Sequence, residues 1–333
     1  FWNMVMKAGW FSVFGAADKV IEIGLLDKPS PVAGEVLVRL ATSGVNPSDV
    51  KKRAGSSPNL LDNGLVIPHS DGGGVIEAVG DGVSTDRIGE RVWVYQAQYG
   101  RLLGTAAEYI SLDASRAVKL PDNTDFNVAA CLGIPAMTAH RCVFADGNIR
   151  GKTVLITGGA GRVGYYAIQW AGMAGANVIA TASNDSDREL CLQVGASAVV
   201  NHRQTGWSQQ VLDANNGQKV DRVIDVEFGA NLPEVLECIA TSGVIASYSS
   251  TVVKEPQLPF VRMMFMDLTL RMVIVYAMPE AAKENAIKAI TTALQDNSLR
   301  HRVAHVVPLD QLALAHQLIE QGGFGGSVIV SID

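Results

Sequence analysis

The sequence predicts an α/β protein: a doubly wound parallel sheet covered by helices on both faces, joined to a smaller β-rich region. Three observations lead there. Residues 154–182 read as an apolar run, a glycine-rich turn, a helical stretch and a second apolar run. From there to residue 247, short apolar runs alternate with helical stretches, the rhythm of a buried parallel sheet. Roughly the first 115 residues instead hold short alternating runs punctuated by Gly, Pro, Asn and Asp, which is strand-and-turn chemistry.

In chain order, strands are expected at 5–7, 20–23, 36–40, 75–79 and 91–95. Lys28-Pro29-Ser30-Pro31, Asn46-Pro47-Ser48-Asp49, Gly72-Gly73-Gly74 and Gly80-Asp81-Gly82 mark the turns between them. Residues 125–141 have helical spacing but contain Pro135, which lacks an N–H, so two short helices meeting at a bend are expected. After the glycine turn, helices are expected at 188–194, 207–214 and 232–239, alternating with strands at 198–200, 222–226 and 244–247. Residues 268–276 read as the last strand of the sheet, and Pro279 opens an amphipathic helix over 280–295. A helix over 308–320 and a strand over 327–332 end the chain.

The glycine turn carries the chemistry. Gly159, Gly161 and Gly164 have the spacing G-x-G-x-x-G between a strand and a helix. Gly159 is expected to allow the sharp turn, Gly161 the close approach of a pyrophosphate, and Gly164 the close packing of helix on strand. The helix N-terminus then faces the anion with free N–H groups and a positive dipole end. Dinucleotide binding follows, with Arg162 and Val163 inside the turn as further cofactor contacts.

Bulk composition narrows the function classes. At 333 residues the chain suits about two domains. Its 27 Lys plus Arg against 33 Asp plus Glu, with no basic block interleaved with aromatics, argue against nucleic acid as a partner. No apolar run reaches the roughly 18 residues of a membrane span, since Arg271 and Pro279 interrupt the best candidate. Phe1-Trp2-Asn3-Met4 lacks the basic start and cleavage site of a secretory signal. Four scattered cysteines without a C-x-x-C pair fit buried thiols in a reducing compartment, so a cytoplasmic protein is expected.

Several segments together carry a family resemblance. Ser43-Gly44-Val45-Asn46-Pro47-Ser48-Asp49, Pro68-His69-Ser70-Asp71-Gly72-Gly73-Gly74-Val75, Gly133-Ile134-Pro135-Ala136-Met137-Thr138-Ala139, the glycine turn and Asn201-His202-Arg203 occur in one order along most of the chain. In this the sequence resembles the zinc-independent NADPH:quinone oxidoreductases of the zeta-crystallin type, in the medium-chain dehydrogenase/reductase superfamily. The resemblance implies a Rossmann domain inserted into a GroES-like β-rich domain. The expected division is 1–123 plus 277–333 for the GroES-like catalytic domain and 124–276 for the Rossmann domain.

The zinc alcohol dehydrogenases of that superfamily hold a catalytic metal at three places which here correspond to Asn46, Ser70 and Ile134. A zinc site needs Cys, His or carboxylate ligands converging at about 2.0 to 2.3 Å, so no metal is expected. His69, beside the ligand place, is expected as a partly exposed turn residue. Without a Lewis acid the electrophile must already be conjugated, which points to quinones or similar conjugated carbonyls as hydride acceptors. Asn46 is expected to polarise the acceptor or orient the nicotinamide, or to cap the helix before Pro47, and these roles are compatible. Arg53 retains the family's arginine in the catalytic segment, whereas Lys51 stands where many members carry an aromatic. Thr138 resembles the threonine placed near the nicotinamide and its phosphate.

The end of the second strand weighs the cofactor. An NAD-specific fold carries Asp or Glu there to bind the ribose 2′-OH, but this chain has Ala182 followed by Ser183 and Asn184. Ser183, Arg188 and His202 are the expected partners of a 2′-phosphate, so NADPH is the expected cofactor. Asp185 could reach a ribose instead, but reads better as an acidic residue at a helix start. Val226 and Tyr248 complete the expected cofactor set, and Tyr95, Tyr99 and Tyr248 are candidate walls of a planar pocket. Alternatives are an NADPH-dependent enoyl or alkenal reductase, and a non-catalytic NADPH-binding, crystallin-like protein. A homodimer is expected through the last Rossmann strand, whose apolar edge a monomer would expose.

Overall fold

A computed structural model describes residues 4–332; residues 1–3, where the segment read for a secretory signal begins, and Asp333 lie outside the description. The chain divides into two units, Phe1–Ile134 with Ala289–Asp333, and Pro135–Lys288. Both junctions fall later in the chain than 123/124 and 276/277. The first does so because residues 126–134 stay on the β-rich sheet, where Ile134 donates its N–H to the Asp71 carboxyl.

The first unit begins with β1 (Val5–Phe11), α1 (Ala17–Val20) and β2 (Ile21–Asp27), the two strands pairing antiparallel. Then come β3 (Glu35–Val45), α2 (Pro47–Arg53), β4 (Asp71–Val79), β5 (Arg91–Val94), β6 (Tyr109–Asp113), β7 (Ala117–Lys119) and α3 (Phe126–Ala129). Gly72-Gly73-Gly74, expected as a turn, lies inside β4. The glycines serve close approach there: a Cβ at Gly73 would lie 2.5 Å from the Ala129 Cβ, and one at Gly74 only 2.1 Å from the Arg39 carbonyl oxygen.

The second unit holds α4 (Met137–Phe144), β8 (Thr153–Ile156), α5 (Arg162–Met173), β9 (Asn177–Thr181), α6 (Asp185–Gln193), β10 (Ala198–Val200), α7 (Trp207–Ala214), β11 (Val220–Asp225), α8 (Phe228–Cys238), β12 (Ile239–Ser247), α9 (Phe260–Phe265) and β13 (Thr269–Met272). Its strands run parallel in the order β10-β9-β8-β11-β12-β13, so the winding reverses between β8 and β11. Pro135 sits in a π-helical turn, Leu132–Ala136, rather than at a simple bend between two helices. The last strand is shorter than 268–276 because its partner β12 ends at Ser247; beyond Met272 the chain turns into a 3₁₀ segment, Val275–Ala277. The Asp146 carboxylate accepts from Arg222 on β11 and Arg271 on β13, at 2.6 to 3.1 Å, and ties the loop after α4 to the sheet.

Helix α10 (Glu280–Gln295) carries the chain back to the first unit, which ends in β14 (Val303–Pro308), α11 (Leu312–Gln321) and β15 (Ser327–Ser331). The completed sheet has the order β14-β15-β3-β4-β5-β7, with β6 on β3. Val36, Val38, Ile76, Val92, Ile110, Val328 and Val330 form the centre of its core.

His69 is not the partly exposed turn residue expected. It is fully buried and stacks on His316 of α11, the ring centroids 5.1 Å apart. One chain of hydrogen bonds fixes every proton in this pair. Thr105 donates its hydroxyl to the Asp71 carbonyl, so Ser43, 2.7 Å away, must donate to Thr105. Ser43 therefore accepts from His69 Nδ1, and His69 Nε2 accepts from His316 Nε2, 2.9 Å away. Both rings are neutral, and a proton added to His69 Nε2 would face an existing N–H. Burial lowers the His69 pKa to about 3, with the Lys52 charge adding to the effect, and burial holds His316 well below its ordinary value.

The unfolded state thus binds protons that the folded state refuses, so stability is retained above pH 6.5 and declines as pH falls toward 3. Replacing His316 by Gln, which can still donate an N–H to His69, should reduce the proton uptake on unfolding, by up to one proton, as pH falls below 6.5. That is a change of up to about 1.4 kcal/mol per pH unit in the slope of stability, measured by urea unfolding at a series of pH values. An unchanged slope would show that His316 is already protonated in the fold.

Candidate active site

In the second unit the site grows from the end of β8. Thr157 donates its hydroxyl to Asp225 at the end of β11 and accepts the Val226 N–H, which joins the two strands at the reversal of the winding. The sharp turn falls one residue before the expected place: Gly158 has φ +60°, whereas Gly159 needs to be glycine for packing, since a Cβ there would lie 2.9 Å from Ala180 Cβ and Cys191 Sγ. A Cβ at Gly164 would lie 2.2 Å from the Gly158 carbonyl oxygen, the close helix–strand contact expected of it. Gly161 is different. An added Cβ there would meet only the Gly158 oxygen, at 3.1 Å, so the surrounding chain leaves open space over the N-cap of α5. That cradle fits a diphosphate, with the N-terminal N–H groups of a 12-residue helix beneath it.

Val226 packs on the turn, its Cγ1 2.9 Å from where a Gly158 Cβ would be. Arg162 opens α5 and Val163 follows it. The Arg162 guanidinium is drawn out of water, which lowers its pKa, and the neighbouring Tyr248 phenol is pushed well above its usual value by burial. Tyr248 also lines a cavity of about 470 Å³ with Phe228, Ser247, Lys254, Met272 and Ile274, at the carboxyl ends of β12 and β13. Thr138 is buried in the first turn of α4.

At the end of β9, Ala182 is buried and bonded to the Val200 carbonyl, and Ser183 is half-buried. Asn184 caps α6 by accepting the Asp187 N–H, so the helix starts at Asp185 and Asp185 is its first, exposed residue. Arg188 is exposed. Burial, with help from Arg203, lowers the His202 pKa, so at neutral pH this ring offers a hydrogen bond. Its Nδ1 is buried without a partner. Arg203, next to His202, is a second exposed cation.

In the first unit, Asn46 is almost wholly buried as the N-cap of α2. It has capping-box geometry: its side chain faces the Asp49 N–H, which donates to the Asn46 carbonyl, and the Asp49 carboxylate accepts the Asn46 N–H. The other end of the Asn46 amide donates from Nδ2 to Asp71 Oδ2 at 2.8 Å. Asp71 also receives the Ile134 N–H, at 3.0 and 3.1 Å. Lys52 donates to Gln98 Oε1 at 2.8 Å, and burial lowers its pKa against the pull of Asp49 and Asp71. Burial raises Asp49 to about 6 and Asp71 to about 8. Asp71 and Lys52 were missed from sequence: their role depends on contacts with residues far along the chain, and no local pattern announces those.

Arg53 is elsewhere engaged. It is buried, its guanidinium pairs with Glu320 of α11, and it lies beside His316 rather than in the Asn46–Asp71 set. Tyr95 is also taken, packed against Trp93 with its hydroxyl directed to the Ser115 carbonyl, and Tyr99 is exposed.

Zinc does not fit the donors at the three corresponding places. Asn46 is committed to Asp71 and Asp49, Ser70 is a buried hydroxyl, and Ile134 contributes only a backbone N–H that already faces Asp71. Among the described residues no three His, Cys, Asp or Glu side chains converge on a common point. Likewise, no helix among the described residues is long and apolar enough to cross a membrane.

Comparison with known proteins agrees with this geometry. The family model described as the alcohol dehydrogenase GroES-like domain matches residues 32–122, and that described as zinc-binding dehydrogenase matches 163–292. Human quinone oxidoreductase is 28% identical over 308 residues, covering 91% of this chain and 90% of its own. A quinone oxidoreductase of Pseudomonas aeruginosa is 31% identical over 242 residues, 72% of each chain. Among solved structures, a mycobacterial quinone oxidoreductase superposes with a TM-score of 0.86 at 27% identity, covering 98% of this chain and 100% of its own. A mycobacterial protein solved with NADPH superposes with a TM-score of 0.86 at 25% identity, with coverage of 98% and 100%. The chain therefore belongs to the medium-chain dehydrogenase/reductase superfamily, as one of its quinone oxidoreductase family and a nicotinamide-dependent oxidoreductase.

Proposed function

We propose that the protein transfers hydride from NADPH to a quinone or similar conjugated carbonyl, without a metal. The observation that carries this reading is the Asn46 amide, held by Asp71 and Asp49 where metal-dependent relatives have a zinc ligand. A fixed amide dipole is a hydrogen-bond donor in a site shielded from water, enough to polarise an acceptor that is already electrophilic. Nicotinamide, when bound, supplies the hydride; the chain's own residues bind, orient and exclude water. The glycine turn, with Arg162, Val163, Val226, Tyr248 and Thr138, is assigned to the cofactor. Arg53 is assigned to holding α2 on α11, because its charge is already paired with Glu320.

The preference for NADPH rests on Ala182, where no carboxylate repels a 2′-phosphate, and on Ser183, Arg188 and His202 around it. The relative solved with NADPH supports it. Oxidation of NADPH against a panel of quinones and enones tests both halves of the reading. Turnover confined to enones would replace the acceptor, and none on either would replace the enzyme by a cofactor-binding protein. A charge-assisted hydrogen bond contributes about 1.5 to 3 kcal/mol, so Arg188→Ala should weaken NADPH binding about tenfold or more and leave NADH nearly unchanged. Ala182→Asp should reverse the preference. Equal calorimetric affinities for NADH and NADPH in the unmodified protein would mean that Asp185 serves the ribose.

A homodimer is part of the proposal. Strand β13 is the edge of the six-stranded sheet, and beside it Phe260, Val261 and Phe265 of α9 are 60% or more exposed, as is Met272 of the strand. An apolar edge of this kind invites pairing, and a two-fold mate of the same strand would continue the sheet. Light scattering should give twice the chain mass, and Phe265→Asp combined with Ile274→Asp should give the monomer. A monomer for the unmodified protein at micromolar concentration would refute the assignment.

A further inference from the structure

We infer that Asp71 is the positioning residue of the Asn46 amide: its carboxylate form holds one Nδ2–H inward and leaves the second as the donor offered to the acceptor. This rests on the reading of Asn46 as the polarising group. The amide is held by its nitrogen. Its Nδ2 lies 2.8 Å from Asp71 Oδ2, and its oxygen faces the Asp49 N–H in the capping box. An Asn side chain has two Nδ2 hydrogens, so one remains after Asp71 has taken its share.

Asp71 is itself held without slack. The Ile134 N–H reaches both carboxyl oxygens, and the Gly133 backbone lies so close that a Cβ there would be 2.1 Å from Oδ1. A Cβ on Gly44 would lie 3.2 Å from the Asp71 Cβ. A proton on Oδ2 would point at the Nδ2–H that this oxygen now accepts, and relieving that clash requires the amide to turn over and present its oxygen. Turning takes the amide oxygen away from the Asp49 N–H and presents the amide in the wrong sense. The protonation of Asp71 thus selects between two orientations of Asn46.

Burial raises Asp71 to about 8, with Asp49 adding to it and Ile134, Asn46 and Lys52 opposing. The groups facing it are Asp49 and Lys52 from α2 and the Cys131 thiol from the segment after α3, which burial keeps protonated with a pKa of about 12. The productive orientation is therefore gained as pH rises through about 8.

The test reads the amide directly. In protein with ¹⁵N-labelled asparagine, the Asn46 side-chain resonance, identified by its loss in Asn46→Ala, should shift with an inflection near pH 8. Asp71→Asn should abolish that inflection and lower kcat on a quinone roughly tenfold, with KM for NADPH little changed. No shift between pH 6.5 and 9.5 in the wild type, or the same shift in Asp71→Asn, would overturn the inference. So would an inflection that disappears in Asp49→Asn or Lys52→Met but persists in Asp71→Asn. Should Asp71→Asn not fold, the wild-type titration decides alone. Absence of quinone turnover in the wild type would refute the proposed activity and leave the resonance to decide on Asp71.

Discussion

The Asp71 carboxyl is fixed by crowding as much as by hydrogen bonds, and the first unit is arranged around that fact. Gly44 and Gly133 stand where any side chain would strike Asp71 or the nearby backbone, and the Ile134 N–H closes the remaining side. One carboxyl thereby joins β4, the loop ahead of α2 and the π-helical turn at Pro135. The first junction between units is set here: residues 126–134 cannot leave the sheet without stripping Asp71 of its N–H partner. A buried carboxyl without partners would be costly in either protonation state, which makes these contacts obligatory rather than decorative.

Much of the second unit was legible in the sequence because its signals are local. A strand, three spaced glycines and a helix lie within about one βα unit, and the alternation that follows repeats the same physics. Even so, the sequence could not say which glycine takes the left-handed conformation. Gly158 and Gly159 are adjacent, and only the packing of Ala180 and Cys191 decides which of them turns and which makes room. Hydrophobic periodicity places a helix start late where a polar cap precedes a polar first turn, as at Asn184, since the periodicity begins only after the cap. Apolar composition overstates the last strand because it continues past the point where its partner stops.

The first unit was less legible because its decisive contacts are long-range. His69 meets His316 across most of the chain, and nothing near either residue in sequence marks the pair. Gly72 to Gly74 look like a turn by composition and prove to be strand, since glycine permits close approach as readily as it permits bending. Asn46 was legible as a cap, and the amide donor proposed for it asks for the same residue type, whereas Asp71 acquires meaning only through what touches it.

The treatment of buried charge separates the site from its scaffold. Asp146 is shared by two arginines, so these charges are neutralised within the fold. Around Asn46 the balance is left incomplete: Asp49 keeps one carboxyl oxygen buried without a partner, and Asp71 and Lys52 are both displaced from their ordinary ionisation. Such residual imbalance is where a fold meets a reaction. On the proposed reading it also bounds the chemistry. A metal would polarise an acceptor strongly, while one oriented amide donor contributes only about 3 to 4 kcal/mol to a transition state. The remaining activation must reside in the acceptor, which is why a conjugated carbonyl suits this site and a simple aldehyde or ketone does not.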